Sequence, residues 1–360
     1  MAEPDFSWTE KVWLTLHKKD GSLQASFGLG KYTNRNLMDG FAGVQVGSQQ
    51  RTLRASRVLR PDIEATAVGP LSYEIIEPYR KIRLKVAANE AQPIEFDLLW
   101  TSDMPAFFED RDQLVKNGRV ASNVIRFHQS GTIEGWIIID GERHEVKPEE
   151  WTGFRDRSWG IRENVGVELA DLPRGDSVSA VRISSDYHFN WFVSELTRPD
   201  GSKYDLSYYF RENRRGLDYF AGSINEQDGS KQSILQVYPE LTYRRGDHGV
   251  LGGKIYATMR GDGRYTIERV FEVEALNPEM GFRLNPAMYG AWNGQIHGSF
   301  KGENFLDGEC IDDVNNPEKL ANNRRWEIRD RPLRIREGDA VGFANIESIV
   351  IGDWPAATFV

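Results

Sequence analysis

Short apolar or alternating runs, each closed by a glycine-containing turn, recur along almost the whole chain, and this pattern leaves few folds open to it. Trp136-Ile137-Ile138-Ile139 runs into Asp140-Gly141, Asn190-Trp191-Phe192-Val193 precedes Pro199-Asp200-Gly201, and Lys254-Ile255-Tyr256-Ala257-Thr258-Met259 precedes Gly261-Asp262-Gly263. Successive side chains of a strand point to opposite faces, and Asp-Gly supplies the backbone conformations of a tight hairpin turn. Further Asp-Gly pairs begin at positions 20, 228 and 307. Regular strand-turn spacing of this kind predicts an all-β fold, an antiparallel sandwich or barrel. Helical periodicity is confined to two polar segments, Asp110–Lys116 and Pro317–Ala321, read as short helical excursions. No fixed repeat period is present, which argues against a propeller or solenoid.

A chain of 360 residues exceeds the size at which one hydrophobic core stops growing, so two domains are expected. The polar stretch Ala170-Asp171-Leu172-Pro173-Arg174-Gly175-Asp176 joins Pro, Gly and charges between strand-rich regions. It divides the chain into residues 1–175 and 176–360. Hydrophobic residues make up 39% and charged residues 28% of the chain, which suits packed cores rather than disorder. A net charge of -9 without basic clusters argues against nucleic acid or an anionic membrane as partner. The single cysteine, Cys310, rules out an internal disulfide and fits a reducing compartment. No signal peptide is read in Met1-Ala2-Glu3-Pro4-Asp5, and no run of 18 apolar residues occurs. The expected setting is cytoplasmic; no feature marks an interface, and a homo-oligomer is compatible with the sequence.

The segment Gly153-Phe154-Arg155-Asp156-Arg157-Ser158-Trp159-Gly160-Ile161-Arg162 gathers an acid, three cations and an indole. Read as a loop, it sets Asp156 between Arg155 and Arg157, whose opposite charge holds the carboxylate ionised. It is either a built site or a structural Asp–Arg clasp beneath Trp159.

The run Arg126-Phe127-His128-Gln129-Ser130-Gly131-Thr132-Ile133-Glu134-Gly135 to Asp140-Gly141-Glu142, followed by Arg155 to Arg162, resembles the hydroxyneurosporene synthase (carotenoid hydratase)-like proteins. Tyr289-Gly290-Ala291-Trp292-Asn293-Gly294 through His297-Gly298 to Asp307-Gly308-Glu309 is similar to the second half of such proteins. The resemblance implies two consecutive lipocalin-like β-barrel domains. It also implies addition or removal of water on large apolar isoprenoids without a redox cofactor. Where relatives commonly carry histidine after the motif aspartate, this chain has Arg157, whose guanidinium stays charged and cannot shuttle protons near neutral pH.

The six histidines, at 17, 128, 144, 188, 248 and 297, show no metal-ligand spacing. Gly28-Leu29-Gly30 lacks the rest of a nucleotide-binding pattern, and no Gly-x-Ser-x-Gly elbow occurs. No cofactor and no metal is therefore expected. General acid–base chemistry needs only a tuned carboxylate or histidine beside an apolar pocket. Asp156 is one candidate. In Asp186-Tyr187-His188-Phe189-Asn190-Trp191, strand alternation puts Asp186, His188 and Asn190 on one face and Tyr187, Phe189 and Trp191 on the other. The catalytic candidates are thus Asp156, His188 and Asp186. The substrate-binding candidates are Arg155, Arg157, Trp159, Arg162, Tyr187, Trp191, Tyr208 and Trp292, around a pocket inside a barrel that takes a bulky hydrophobic or aromatic substrate. Three readings stay open: a hydratase or dehydratase, a formaldehyde-releasing carbon–carbon lyase on a phenolic phenylpropanoid dimer, and a carrier of a hydrophobic ligand.

Overall fold

The computed structural model describes residues 5–116, 118–166, 186–261, 265–285, 296–316 and 327–360. The first sheet is built from β1 (Trp8–Lys18), β2 (Leu23–Tyr32), β3 (Leu37–Val46), β4 (Gln49–Val58), β5 (Ala67–Val68), β6 (Leu71–Glu77), β7 (Lys81–Val86), β8 (Ile94–Thr101), β9 (Phe107–Phe108), β10 (Asp112–Lys116), β11 (Arg119–Ile139), β12 (Glu142–Val146) and β13 (Trp151–Ile161). The second contains β14 (Tyr187–Thr197), β15 (Lys203–Asn213), β16 (Gly216–Glu226), β17 (Lys231–Tyr243), β18 (Val250–Arg260), β19 (Thr266–Ala275), β20 (Phe282–Arg283), β22 (Arg329–Glu337), β23 (Ala340–Ile351) and β24 (Ala357–Phe359). Between β20 and β22 in the chain lies β21 (Asn304–Ile311), which pairs antiparallel with β4 on the first sheet.

Both sheets curl into lipocalin-like barrels, so the chain is all-β with two barrels. In the first, β11 is long enough to pair with β13 through one half and with β8 through the other. In the second, pairing of β16 with β17 closes a ring of β14–β19, β22 and β23. The alternation legible in the sequence sets what each strand covers. On β1, Val12, Leu14 and Leu16 join the first barrel's core with Phe27, Phe96, Trp100 and Trp151, while Trp13 points outward. On β14, Phe192 and Leu196 point into the second core beside Tyr208 and Phe271; Phe189, Trp191 and Val193 point out. The outward sets meet, with Trp13, Phe41 and Phe154 packing against Phe189, Trp191, Tyr209 and Phe282. Trp13 stands edge-on to Trp191 at 5.2 Å, a geometry that adds about 0.5–1.5 kcal/mol to simple burial. Large side chains thus fill the middle of each barrel, and a further packed layer forms the seam, or groove, between the two.

Three local expectations are corrected. Asp112–Lys116 is a strand, because pairing with β11 supplies the backbone partners that a lone polar helix would lack. Gly153–Ile161 is no loop; it lies in β13, flanked by β1 and β11. Asp307-Gly308 lies within β21 and is not a turn. A side chain on Gly308 would collide with the Ala91 carbonyl oxygen, so this glycine serves close approach. The Asp-Gly turns at 20, 140 and 228 are found as expected. The 170–176 linker and the 317–321 segment lie outside the described residues. No helix among the described residues is long and apolar enough to cross a membrane.

Candidate functional site

The groove between the barrels is lined from one side by the outward residues of β1, β11 and β13, and from the other by those of β14, β15 and β23. Antiparallel register puts His128 of β11 opposite Asp156 of β13, and Asp156 opposite Trp13 of β1. Arg126, two residues before His128 and so on the same face, reaches Asp156 with its Nε at 3.0 Å and Glu109 with Nη1 at 2.9 Å. Its guanidinium lies over the Tyr209 ring at 5.1 Å. Glu109 also accepts from Tyr219 Oη at 3.1 Å and makes a short contact with His128 Nε2. The same Nε2 receives the indole N–H of Trp191 at 2.8 Å. The two barrels therefore meet, through Trp191, at one imidazole that is fully buried.

Burial pulls the Glu109 pKa up, but Arg126 and His128 outweigh it and hold the carboxyl down to about 2. Arg126 is held well above its usual range because Glu109 and Asp156 outweigh its own burial. Across the groove, Glu347 neighbours Trp191 in the β14–β23 register and interacts with the fully buried Asp330. Burial, and then the negative charge of Asp156, push Glu347 upward; burial and Glu347 do the same to Asp330. Two buried carboxyls that share a site retain a proton near neutrality. Beside β1 lies a small cavity lined by Lys11, Gly28, Gly30, Asp39, Phe41 and His297. Burial and then Arg162 lower the Lys11 pKa well below that of an ordinary amine.

The Glu109 arrangement has a testable stability consequence. An unfolded glutamate titrates near ~4.3, so the stabilising contribution of this depressed group is complete above ~4.3 and is lost as pH falls from there towards about 2. The window is worth about 3 kcal/mol. Urea midpoints recorded down this range should fall less steeply in Glu109→Gln than in the wild type; identical slopes would show that Glu109 is not held this way.

The structure places the sequence candidates in several locations. Asp156 and Trp191 face the groove, with Arg162 beside them, its Nη2 donating to Ser158 Oγ at 2.8 Å. Tyr187 lies on the outward face of β14 with Trp191, half-buried, and burial raises its pKa. Asp156 is not clasped by Arg155 and Arg157, because consecutive strand residues face opposite ways. Its partner is Arg126. Arg155, Arg157 and Trp159 occupy the other face of β13, where Arg157 pairs with Glu10 at 3.3 Å. His188 is buried on the inner side of the second barrel, with Nδ1 2.9 Å from Glu212 and its ring against Phe210 and Trp354. Tyr208 stacks on Phe192 in that core, and Asp186 is engaged by Arg214. Trp292 lies outside the described residues. Glu109, Lys11, Asp330 and Glu347 are not singled out by sequence. Arg126 and His128 open the run that carries the family resemblance, at alternate positions of a strand, and no role is assigned to either there.

The model of a "Family of unknown function (DUF8625)" matches residues 1–360. Comparison with curated proteins returns no match. Among solved structures, an AttH-like protein from Nitrosomonas europaea is similar at TM-score 0.57 and 11% identity, covering 98% of this chain and 95% of that one. CghA is similar at 0.50 and 10% identity, covering 98% and 93%. Kievitone hydratase from Nectria haematococca aligns at 0.45 and 14%, covering 96% and 89%. At their identities the likeness to the first two is one of fold alone.

Proposed function

We propose that this chain, which belongs to the family of unknown function DUF8625, is an acid–base lyase of the hydratase or dehydratase type that acts on a bulky hydrophobic isoprenoid or aromatic substrate without a redox cofactor. The observation that carries this reading is the environment of His128 Nε2, which meets both the Glu109 carboxylate and the Trp191 indole N–H. An imidazolium suits the first partner and a neutral ring the second. Each protonation state of the ring thus has a partner in place, as a group that takes and returns a proton requires.

In the dehydration direction, neutral His128 takes a proton from the substrate. The protonated member of the Glu347–Asp330 pair gives its proton to the departing hydroxyl, and water leaves. Return of the proton from His128 to the carboxyl pair restores the site, and hydration is the reverse sequence. Asp156, ion-paired with Arg126, favours the protonated form of the pair through its charge. The rings of Trp191 and Tyr209 line the groove and suit a substrate that gathers positive charge as it reacts.

Incubation of the purified protein, without added cofactor or metal, with pooled terpenoids and phenylpropanoid dimers tests the reading by mass spectrometry. Gain or loss of water is the expected result. Loss of formaldehyde would move the claim to a carbon–carbon lyase. A compound retained at unchanged mass and unchanged chromatographic position would make the protein a carrier.

A further inference from the structure

On the face of β13 that looks away from the groove, Arg155 is 5% exposed and its guanidinium lies 5.0 Å from the Trp100 ring and 4.8 Å from the Phe127 ring. It makes no hydrogen bond or ion pair to any described residue, and its Nε is buried without a partner. Two more polar atoms nearby are in the same condition. Trp100 Nε1 is an unused donor; Oε1 of Gln129, which faces Arg155 across the β11–β13 ladder, is an unused acceptor. A buried cation without an acceptor is costly, and proteins normally pair such groups. Burial and then the charge of Arg157 lower the pKa of Arg155 to about 10, which leaves it charged at neutral pH.

Above this cation sits a cluster of rings. Phe127 contacts Tyr79 at 5.4 Å, Phe108 at 5.1 Å and Trp159 at 6.5 Å. Tyr79 and Phe108 are 49% and 42% exposed, an uncommon placing for large rings in contact with one another. An exposed aromatic rim over a buried guanidinium that has no acceptor among the described residues is complementary to a flat ring that carries an acid group.

We propose that the mouth of the first barrel is a second ligand site, for a small aromatic carboxylate whose anionic end reaches Arg155 and whose ring lies among Tyr79, Phe108, Phe127 and Trp159. The carboxylate accepts from the guanidinium and from Trp100 Nε1, and Gln129 Oε1 accepts from a hydroxyl where the ligand carries one. The site stands apart from the proposed lyase groove, on the reverse face of the same strand, so it does not depend on that reading.

Titration of tryptophan fluorescence with cinnamate, its neutral amide and hexanoate tests it. Cinnamate should bind the wild type, with the amide and hexanoate each weaker by roughly tenfold or more, since a charge-assisted bidentate contact and ring burial are lost separately. Arg155→Met should weaken cinnamate to the same degree, and Arg155→Lys should recover only part of it. Phe108→Ala, at an exposed position, keeps the fold and should weaken cinnamate roughly threefold or more; it gives a reading even if the Arg155 variants fail to fold. His128→Gln should bind cinnamate as the wild type does. Equal binding of cinnamate and its amide, binding untouched in Arg155→Met, or loss of binding in His128→Gln would each overturn the proposal, the last by moving the carboxylate into the groove.

Discussion

Arg126→Met should lower the unfolding free energy by about 3–5 kcal/mol, because it strands two carboxylates that the fold has removed from water. Glu109 is 2% exposed and Asp156 15%, and Arg126 bridges both. Its stem is buried too, so methionine keeps most of the packing against Tyr209 while removing the charge. The discriminating control adds Glu109→Gln and Asp156→Asn to the same protein. With the stranded charges gone, most of the loss should be recovered, as expected when coupled sites share one network. Urea unfolding of the three proteins reads both effects. A single variant within about 1 kcal/mol of wild type would mean that the pair of ion pairs contributes little.

The second large effect concerns turnover. Once the substrate is in hand, His128→Gln should reduce kcat by roughly 100- to 10,000-fold, the usual worth of a general acid–base group, with binding of substrate little changed. Glutamine retains polar atoms for Glu109 and Trp191 but cannot take up a proton. Trp191→Phe removes the indole N–H that donates to His128 Nε2, together with part of the ring. It should cost roughly fivefold, in line with one hydrogen bond of about 1 kcal/mol. A His128→Gln protein that turns over within fivefold of wild type would remove His128 from the chemistry.

The fold was legible in the sequence where local chemistry decides structure. Asp-Gly at 20, 140 and 228 needs a turn and makes one, and the alternation around Trp191 predicted which residues share a face of β14. It could not say which face is inward. His188 was therefore read as a site residue, although its face is the packed interior of the second barrel. β13 reads as a loop in the sequence because both of its faces are covered, one by the barrel interior and one by the second barrel, which erases the simple alternation of a half-buried strand. The groove itself was the least legible. Lys11, Glu109, Arg126, His128, Asp156, Trp191, Asp330 and Glu347 come from segments scattered over more than 300 residues of the chain, and only strand pairing brings them together. Asp156 and Trp191 were found because each sits in a locally unusual run; Glu109 and Glu347 sit in none.

The pairing of β21 with β4 has a consequence for the order in which the protein is made. Residues 50–57 of β4 pair with residues 304–311 of β21, and the buried Arg54 finds its carboxylates, Asp307 and Glu309, on that late strand. On the ribosome, β13 ends at residue 161 and β21 at residue 311. At synthesis rates of about 5–20 residues per second the nascent first barrel waits roughly 8–30 s with an open edge. Open edges invite pairing with other chains. During that interval the strands of the second barrel emerge beside it, and the half of the protein that is translated first is the half that is completed late.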